Sequence, residues 1–151
     1  MAIEIEYKFL VDREKWSALS KPEGSLIVQA YIHNSKEVTV RVRIKGTSAY
    51  LTIKGQTIGV SRSEFEYEIP ISDAEEMMEQ FSSKHIRKYR YEISMGKHTW
   101  EVDVFEGKLE GLILAEIELN AEDEVFEKPD WITEEVSTDE SYYNAVLIEK
   151  C

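Results

Sequence analysis

Cysteine is nearly missing from this chain: the single one, Cys151, is the last residue, so no internal disulfide can form and no thiolate set can bind zinc. That usage fits a reducing cytoplasm, the expected location. Bases are also in short supply, 18 against 30 acids, and a net charge of −12 argues against a nucleic-acid surface, which needs excess Lys and Arg. There is no apolar run of the roughly 18 residues that a membrane helix requires, and the N-terminus lacks the basic start and apolar core of a signal peptide. With three prolines and no linker or low-complexity tract, nothing divides the chain. What remains is 151 residues with 42% apolar content, enough for one cored domain over 1–151.

The dominant pattern is alternation with period two, which predicts strands at 3–10, 26–33, 37–45, 49–55, 63–71, 86–95, 98–106 and 112–120. Glycines at Lys45-Gly46-Thr47-Ser48, Met95-Gly96-Lys97-His98 and Glu106-Gly107-Lys108 suit tight antiparallel turns. Helices are expected at 73–83, with Ser72 as cap and Glu75 completing a capping box, at 12–19, and in two short pieces over 121–126 and 141–149 that flank an ordered Pro129-Asp130-Trp131 loop. Eight antiparallel strands with few helices predict a mainly β (α+β) fold, a closed barrel, since closure removes exposed edges.

Each strand separates charge from apolar side chains. One face collects Glu4, Glu6 and Lys8; Arg41 and Arg43; Lys54; Glu64, Glu66 and Glu68; Lys88, Arg90 and Glu92; Glu101 and Asp103; and Glu116 with Glu118. The other carries Ile3, Ile5, Val40, Val42, Leu51, Ile53, Phe65, Tyr67, Tyr89, Tyr91, Val102 and Ile117, which is expected to form the core. A one-sided sheet washed by solvent would also look two-faced. Solvated faces, however, mix signs and neutral polar residues, whereas here like charges recur at i, i+2, an arrangement that costs free energy unless a counter-ligand lies between them. A small barrel holds either side chains or one small ligand, so the charges are predicted to line the lumen. Paired carboxylates suit a hard cation such as magnesium or manganese, and paired Arg and Lys suit phosphate oxygens. Together they point to a metal-bound polyphosphate.

These residues, in order and phase, resemble the CYTH superfamily, the triphosphate tunnel metalloenzymes. The similarity lies in Glu4-Ile5-Glu6-Tyr7-Lys8, Gln29-Ala30-Tyr31, Val40-Arg41-Val42-Arg43, Leu51-Thr52-Ile53-Lys54, the Glu64 to Pro70 segment, Lys88-Tyr89-Arg90-Tyr91, Val102 to Gly107, and Glu116-Ile117-Glu118. The resemblance implies an eight-stranded tunnel that takes a small-molecule triphosphate with two Mg2+ or Mn2+ ions. The short form is most similar to bacterial-type inorganic triphosphatases. One departure is Ser141-Tyr142-Tyr143-Asn144, where relatives often carry a base before the tyrosine.

The expected metal ligands are Glu4, Glu6, Glu64, Asp103, Glu116 and Glu118. The expected substrate-binding residues are Lys8, Tyr31, Arg41, Arg43, Lys54, Lys88 and Arg90, and the expected catalytic ones Lys88, Glu66 and Glu68, a carboxylate of the 64–68 run orienting water. Arg62, next to a Gly59-containing loop, is left outside this set, either reaching the tunnel mouth or standing solvated in the loop, and His33, His85 and His98 are assigned to surface or turn positions. Hydrolysis of inorganic tripolyphosphate, with nucleoside triphosphates as further substrates, is the expected activity. The alternatives are a class IV-type adenylyl cyclase making cyclic AMP from ATP and a non-catalytic polyphosphate-binding module. The protein is expected to be a monomer or homodimer, without nucleic-acid or membrane partners.

Overall fold

A computed structural model describes residues 2–151. The eight expected strands form as β1 (Ile3–Val11), β2 (Ser25–Asn34), β3 (Val38–Lys45), β4 (Ser48–Gly55), β5 (Ser61–Ile69), β6 (Ile86–Met95), β7 (His98–Phe105) and β8 (Ile113–Leu119). They pair antiparallel in the order β5-β4-β3-β2-β6-β7-β8-β1, and β5 returns to β1 through Ile3↔Ser63, Glu4↔Arg62 and Ile5↔Ser61. The ring is therefore closed, as the alternation implied. Gly46, at φ 58°, occupies the left-handed backbone region that the β3–β4 turn needs and that a residue with a Cβ enters only with strain.

A ninth strand, β9 (Ile132–Glu135), was not expected. It lies on the edge of β1 that β5 leaves free, with Phe9↔Glu135 and Val11↔Ile132 in register. The chain then continues along β1, where the Val136 N–H donates to the Lys8 carbonyl at 2.8 Å and the Lys8 N–H donates to Ser137 Oγ at 2.9 Å. Thus the C-terminal segment is fixed to the strand that carries the first acidic and basic residues of the lumen.

Two layers cover the barrel's apolar outside, and a third cluster packs inside it. Over β1, β7 and β8, Trp16 of α1 (Arg13–Ala18) packs with Phe9, Trp100, Val102, Ile117 and Trp131. Trp131 meets Trp16 and Trp100 edge-on at centroid distances of 5.5 and 5.8 Å, pairs that contribute about 0.5–1.5 kcal/mol each beyond area burial. α2 (Ile71–Phe81) lays Ala74 and Met78 on Ala30, Val42 and Ala49. α3 (Asn144–Leu147), flanked by short 3-10 turns, places Leu147 and Ile148 against Ile86, Phe105 and Leu114, which share the inward phase of Lys88, Asp103 and Glu116, so this cluster closes one end of the lumen.

Several local expectations need correction. α2 begins at Ile71 with Pro70 at its N-cap and no side-chain cap, so the Ser72–Glu75 capping box does not form; the fixed φ of proline suits entry to the helix. Residues 121–126 make a turn rather than a helix, because the Glu124 carboxylate accepts from the Asn120 N–H at 2.7 Å and meets His98 Nε2 at 2.5 Å, competing with helical bonds. Phe65 and Tyr67 are 44% and 57% exposed, since no helix covers the outer face of β5 there.

Candidate functional site

Alternation turns every second side chain of a barrel strand inward, and in this barrel those side chains are ionisable. Glu4, Lys8, Arg41, Lys54, Lys88, Arg90, Asp103 and Glu116 are all buried. They surround a chamber of about 190 Å3, lined by seven acids (Glu4, Glu6, Glu64, Glu66, Glu101, Glu116, Glu118) and seven bases (Lys8, Arg41, Arg43, Lys54, Arg62, Lys88, Arg90), with Tyr31, Tyr143 and Asn144. The two signs balance in number but not in space.

On the acidic side, β1 and β8 run in register with Glu6 opposite Glu118 and Lys8 opposite Glu116. Burial together with Glu116 and Glu4 drives Glu6 well above the ordinary carboxylate range, and its side chain hydrogen-bonds Glu116. Burial would raise Glu116 too, but Lys8 and that bond to Glu6 hold it well below the usual value. Glu64 is pushed up by burial and Glu4, and Glu118 by burial, Glu4, Glu64 and Glu101. Glu4 has two close cations: Lys54 donates to its two oxygens at 3.1 and 3.2 Å and Arg62 Nε to one at 3.3 Å. These outweigh burial and bring Glu4 down to about 2.

The basic side is built on β3, β6 and β7. Asp103, 1% exposed, accepts from Lys88 Nζ at 2.7 Å and from Arg90 Nε and Nη2 at 2.8 and 2.9 Å. Burial alone would raise Asp103; Arg90 and Lys88 hold it far below the usual carboxylate range. Lys88 itself is brought down to about 7 by burial and by the neighbouring Arg90 and Arg43, against the pull of Asp103. Arg43 falls to about 9 through burial, Arg41 and Arg90. Arg41 donates to Thr52 Oγ1 at 3.3 Å, but its buried Nε has no acceptor. Positive charge thus exceeds its local partners here.

Of the expected site residues, Glu4, Glu6, Lys8, Tyr31, Arg41, Arg43, Lys54, Glu64, Glu66, Lys88, Arg90, Glu116 and Glu118 come together around one chamber. Glu68 does not: it is exposed and outside the lining. Asp103 sits behind the wall with both oxygens engaged by Lys88 and Arg90. Lys54 stands on the acidic side, bridging Glu4 and Glu64 at 3.1 and 3.2 Å. Arg62, left outside the expected set, lines the chamber. Gln29, Ser137 and Asn144 were missed; each is neutral, so charge patterning gave no signal for them, although Gln29 lies within one of the resemblance motifs. His98 is paired with Glu124 at a strand end, 10% exposed at its side chain.

The acidic donors fit a hard divalent cation. Glu6 and Glu116 are two carboxylates in contact, and Lys8, 4.0 Å from Glu116, leaves Glu6 pushed up by burial and its acidic neighbours, the situation that a metal relieves. Among the described residues no group of three or more His, Cys, Asp or Glu could hold an ion unaided. Magnesium is ordinarily held by one or two carboxylates, with water and substrate phosphates completing its shell, so a two-carboxylate seat is consistent with it.

A family profile described as the CYTH domain matches residues 2–145. An inorganic triphosphatase of Acetivibrio thermocellus is 47% identical over 150 residues, 99% of this chain and 95% of that protein. One from Nitrosomonas europaea is 33% identical over 152 residues, covering 95% of each. A crystal structure of an inorganic triphosphatase superposes with a TM-score of 0.67 at 30% identity, over 98% of this chain and 95% of that one. A candidate adenylate cyclase from Bacillus halodurans, at 18% identity and a TM-score of 0.64 over 82% of this chain and 84% of that one, is similar in fold.

Proposed function

This chain belongs to the CYTH family, and from that premise we propose that it is an inorganic triphosphatase, cleaving a phosphoanhydride bond of tripolyphosphate with a divalent metal. The observation that carries the reading is the coexistence, in one chamber, of a buried Arg41 Nε lacking an acceptor and a Glu6–Glu116 carboxylate contact that Lys8, 4.0 Å from Glu116, does not relieve at Glu6. A metal-bound polyphosphate satisfies both. The two relatives named as inorganic triphosphatases support the substrate, and their coverage spans nearly the whole chain.

Glu4, Glu6, Glu64, Glu116 and Glu118 would hold Mg2+ or Mn2+, which when bound supplies charge neutralisation at phosphate oxygens. Asp103 is better read as the anion that orients Lys88 and Arg90 than as a ligand. Arg41, Arg43, Lys88 and Arg90 bind the phosphate chain from the opposite wall, Arg with two-pronged donors, and Lys8 grips it beside Glu116. Little covalent work falls to the protein, since phosphoryl transfer is catalysed mainly by positioning and charge stabilisation. Lys88, near 7, can exchange a proton close to neutrality. Glu66, which lines the chamber and accepts from Thr52 Oγ1 at 2.9 Å, would orient a water; Glu68, outside the lining, would not.

Phosphate release from a panel of tripolyphosphate, pyrophosphate, ATP and thiamine triphosphate, each with Mg2+ or Mn2+, tests the proposal. Tripolyphosphate is expected to turn over fastest, and Glu4→Gln with Glu6→Gln to reduce that turnover by at least roughly a thousandfold through several kcal/mol of lost charge stabilisation. Unchanged metal-dependent hydrolysis in the double variant would remove the assignment. Cyclic AMP and pyrophosphate from ATP would indicate a cyclase instead, and tight metal-independent binding without turnover a polyphosphate-binding module.

A further inference from the structure

The phosphate-binding wall and the C-terminal segment meet at one neutral side chain. Asn144, the first residue of α3, lines the chamber, and its Oδ1 accepts from Lys88 Nζ at 2.9 Å and from Gln29 Nε2 at 3.1 Å. Gln29 is fully buried, and its Oε1 accepts from Arg43 Nε at 2.8 Å. Lys88 also donates to Asp103, which in turn holds Arg90. The bonds therefore run Arg43 to Gln29 to Asn144, with Lys88 joining Asn144 to Asp103 and Arg90. Three cations from β3 and β6 are fixed relative to one another, and the link between the Arg43 branch and the Lys88 branch is the Asn144 oxygen.

We propose that Asn144 is a positioning residue of the phosphate site, locking the Lys88 ammonium and, through Gln29, the Arg43 guanidinium at the spacing that the reacting phosphate chain requires. The inference rests on the triphosphatase reading. Its chemistry suits the role: an ammonium between like charges needs acceptors to stay in place, and a carboxylate there would neutralise the charge that attracts phosphate, whereas an amide oxygen holds it and leaves the charge intact. One N–H of Lys88 is taken by Asp103 and one by Asn144, and the third remains for substrate.

Steady-state kinetics of the full chain with tripolyphosphate and Mg2+ test this through a split between kcat and KM. Asn144→Leu should lower kcat by about tenfold or more while KM moves less than about threefold, because the other bases still bind substrate but no longer in aligned array. Should the leucine variant not fold, Asn144→Ala carries the same expectation. Asn144→Asp keeps an acceptor in place and should retain kcat within about threefold at its own optimum while KM rises, since the carboxylate offsets the charge that attracts phosphate, with the alkaline limb of its pH profile moved upward as the carboxylate favours the ammonium. Asn34→Ala provides the control for helix docking: Asn34 Nδ2 holds the same helix by donating to the Ala145 carbonyl at 2.7 Å but does not line the chamber, and its loss should leave kcat within twofold. A leucine variant within twofold of wild type, or an Asn34→Ala loss as large as that of Asn144→Leu, would overturn the role. In the free protein, NMR of lysine side chains provides a readout independent of turnover: the Lys88 ammonium signal should be distinct in wild type and Asn34→Ala and lost in Asn144→Leu. Failure of the wild type to hydrolyse tripolyphosphate would thus sink the functional reading and leave this one decided by the NMR.

Discussion

The two walls of the chamber handle buried charge in opposite ways. On β6 and β7, Lys88, Arg90 and Asp103 form a closed set in which each ion has a partner within 2.9 Å, and Asp103 is 1% exposed. On β1 and β8, Glu6 and Glu116 face each other as like groups, one forced up in pKa and the other down. The Lys88–Arg90–Asp103 set is paired before any ligand arrives, although Arg41 beside it on β3 keeps an unmatched Nε; the carboxylate pair is completed only by a ligand. A protein selected for stability alone would build both like the first, so the unfinished wall marks where binding energy is to be collected.

The sharpest way to break this contrast is to spoil the complete wall. Asp103→Ala would leave two buried cations without their anion, and removing one partner of a buried ion pair costs about 3–5 kcal/mol. Urea unfolding should report a loss of that size, accompanied by loss of turnover. A loss below about 1 kcal/mol would mean that Lys88 and Arg90 find other partners, and the two walls would then differ less than their geometry indicates.

The unfinished wall should respond in the reverse sense. Glu6→Gln keeps a donor toward Glu116 while removing one charge, so the metal-free protein should gain about 1 kcal/mol, the scale of one hydrogen bond no longer opposed by repulsion. Mn2+ or Mg2+ should raise the melting temperature of wild type and leave Glu6→Gln nearly unmoved. An equal rise in both would take Glu6 out of the metal seat.

A smaller effect lies in pH. Glu6 has a folded-state pKa above its unfolded value near 4.5, so its contribution to stability is complete below about 4.5 and is lost as pH rises through the folded value. Glu64 and Glu118 act in the same direction. Glu4, depressed to about 2, contributes stability present above 4.5 and lost as pH falls toward 2. Lys88, lowered from 10.5 to about 7, adds stability above 10.5 that is lost as pH falls through 7. Between 4.5 and 7, then, metal-free wild type should lose stability as pH rises, and Glu6→Gln should flatten that slope. Chemical denaturation across the window measures both.

How legible each wall was in the sequence follows from the same physics. Period-two alternation is local, so the eight ring strands and the inward phase of Glu4, Lys8, Arg41, Lys88 and Glu116 could be read directly. β9 could not, because Ile132–Glu135 is only four residues long and becomes a strand by pairing with β1 more than a hundred positions away. Phe65 and Tyr67 had the apolar phase of core residues, but which stretch of outer sheet a helix covers is decided by tertiary placement. Asp103 shared the phase of the metal candidates, and only its neighbours across the β6–β7 ladder, Arg90 opposite it in register, assign it to the other wall. Gln29 and Asn144, being uncharged and 115 positions apart, left no periodic trace of their hydrogen bond.

Arg62 offers the finest test, because it stands where the two strategies meet. Opposite Glu4 in the β1–β5 register, it shares that carboxylate with Lys54, so Glu4 already has two cations of its own. Two cations on one carboxylate are redundant for stability: with Lys54 still at 3.1 Å, Arg62→Gln should cost the metal-free protein less than about 1 kcal/mol, the range of partly exposed pairs. Redundancy has the opposite consequence for metal, since each resident cation competes with an incoming one for the same oxygens. Mn2+ titration of the substrate-free variant should therefore show tighter binding than wild type, by a factor of a few. Weaker binding would mean that Arg62 orders Glu4 for the metal rather than competing with it, and Glu4 would then belong with the prepared wall.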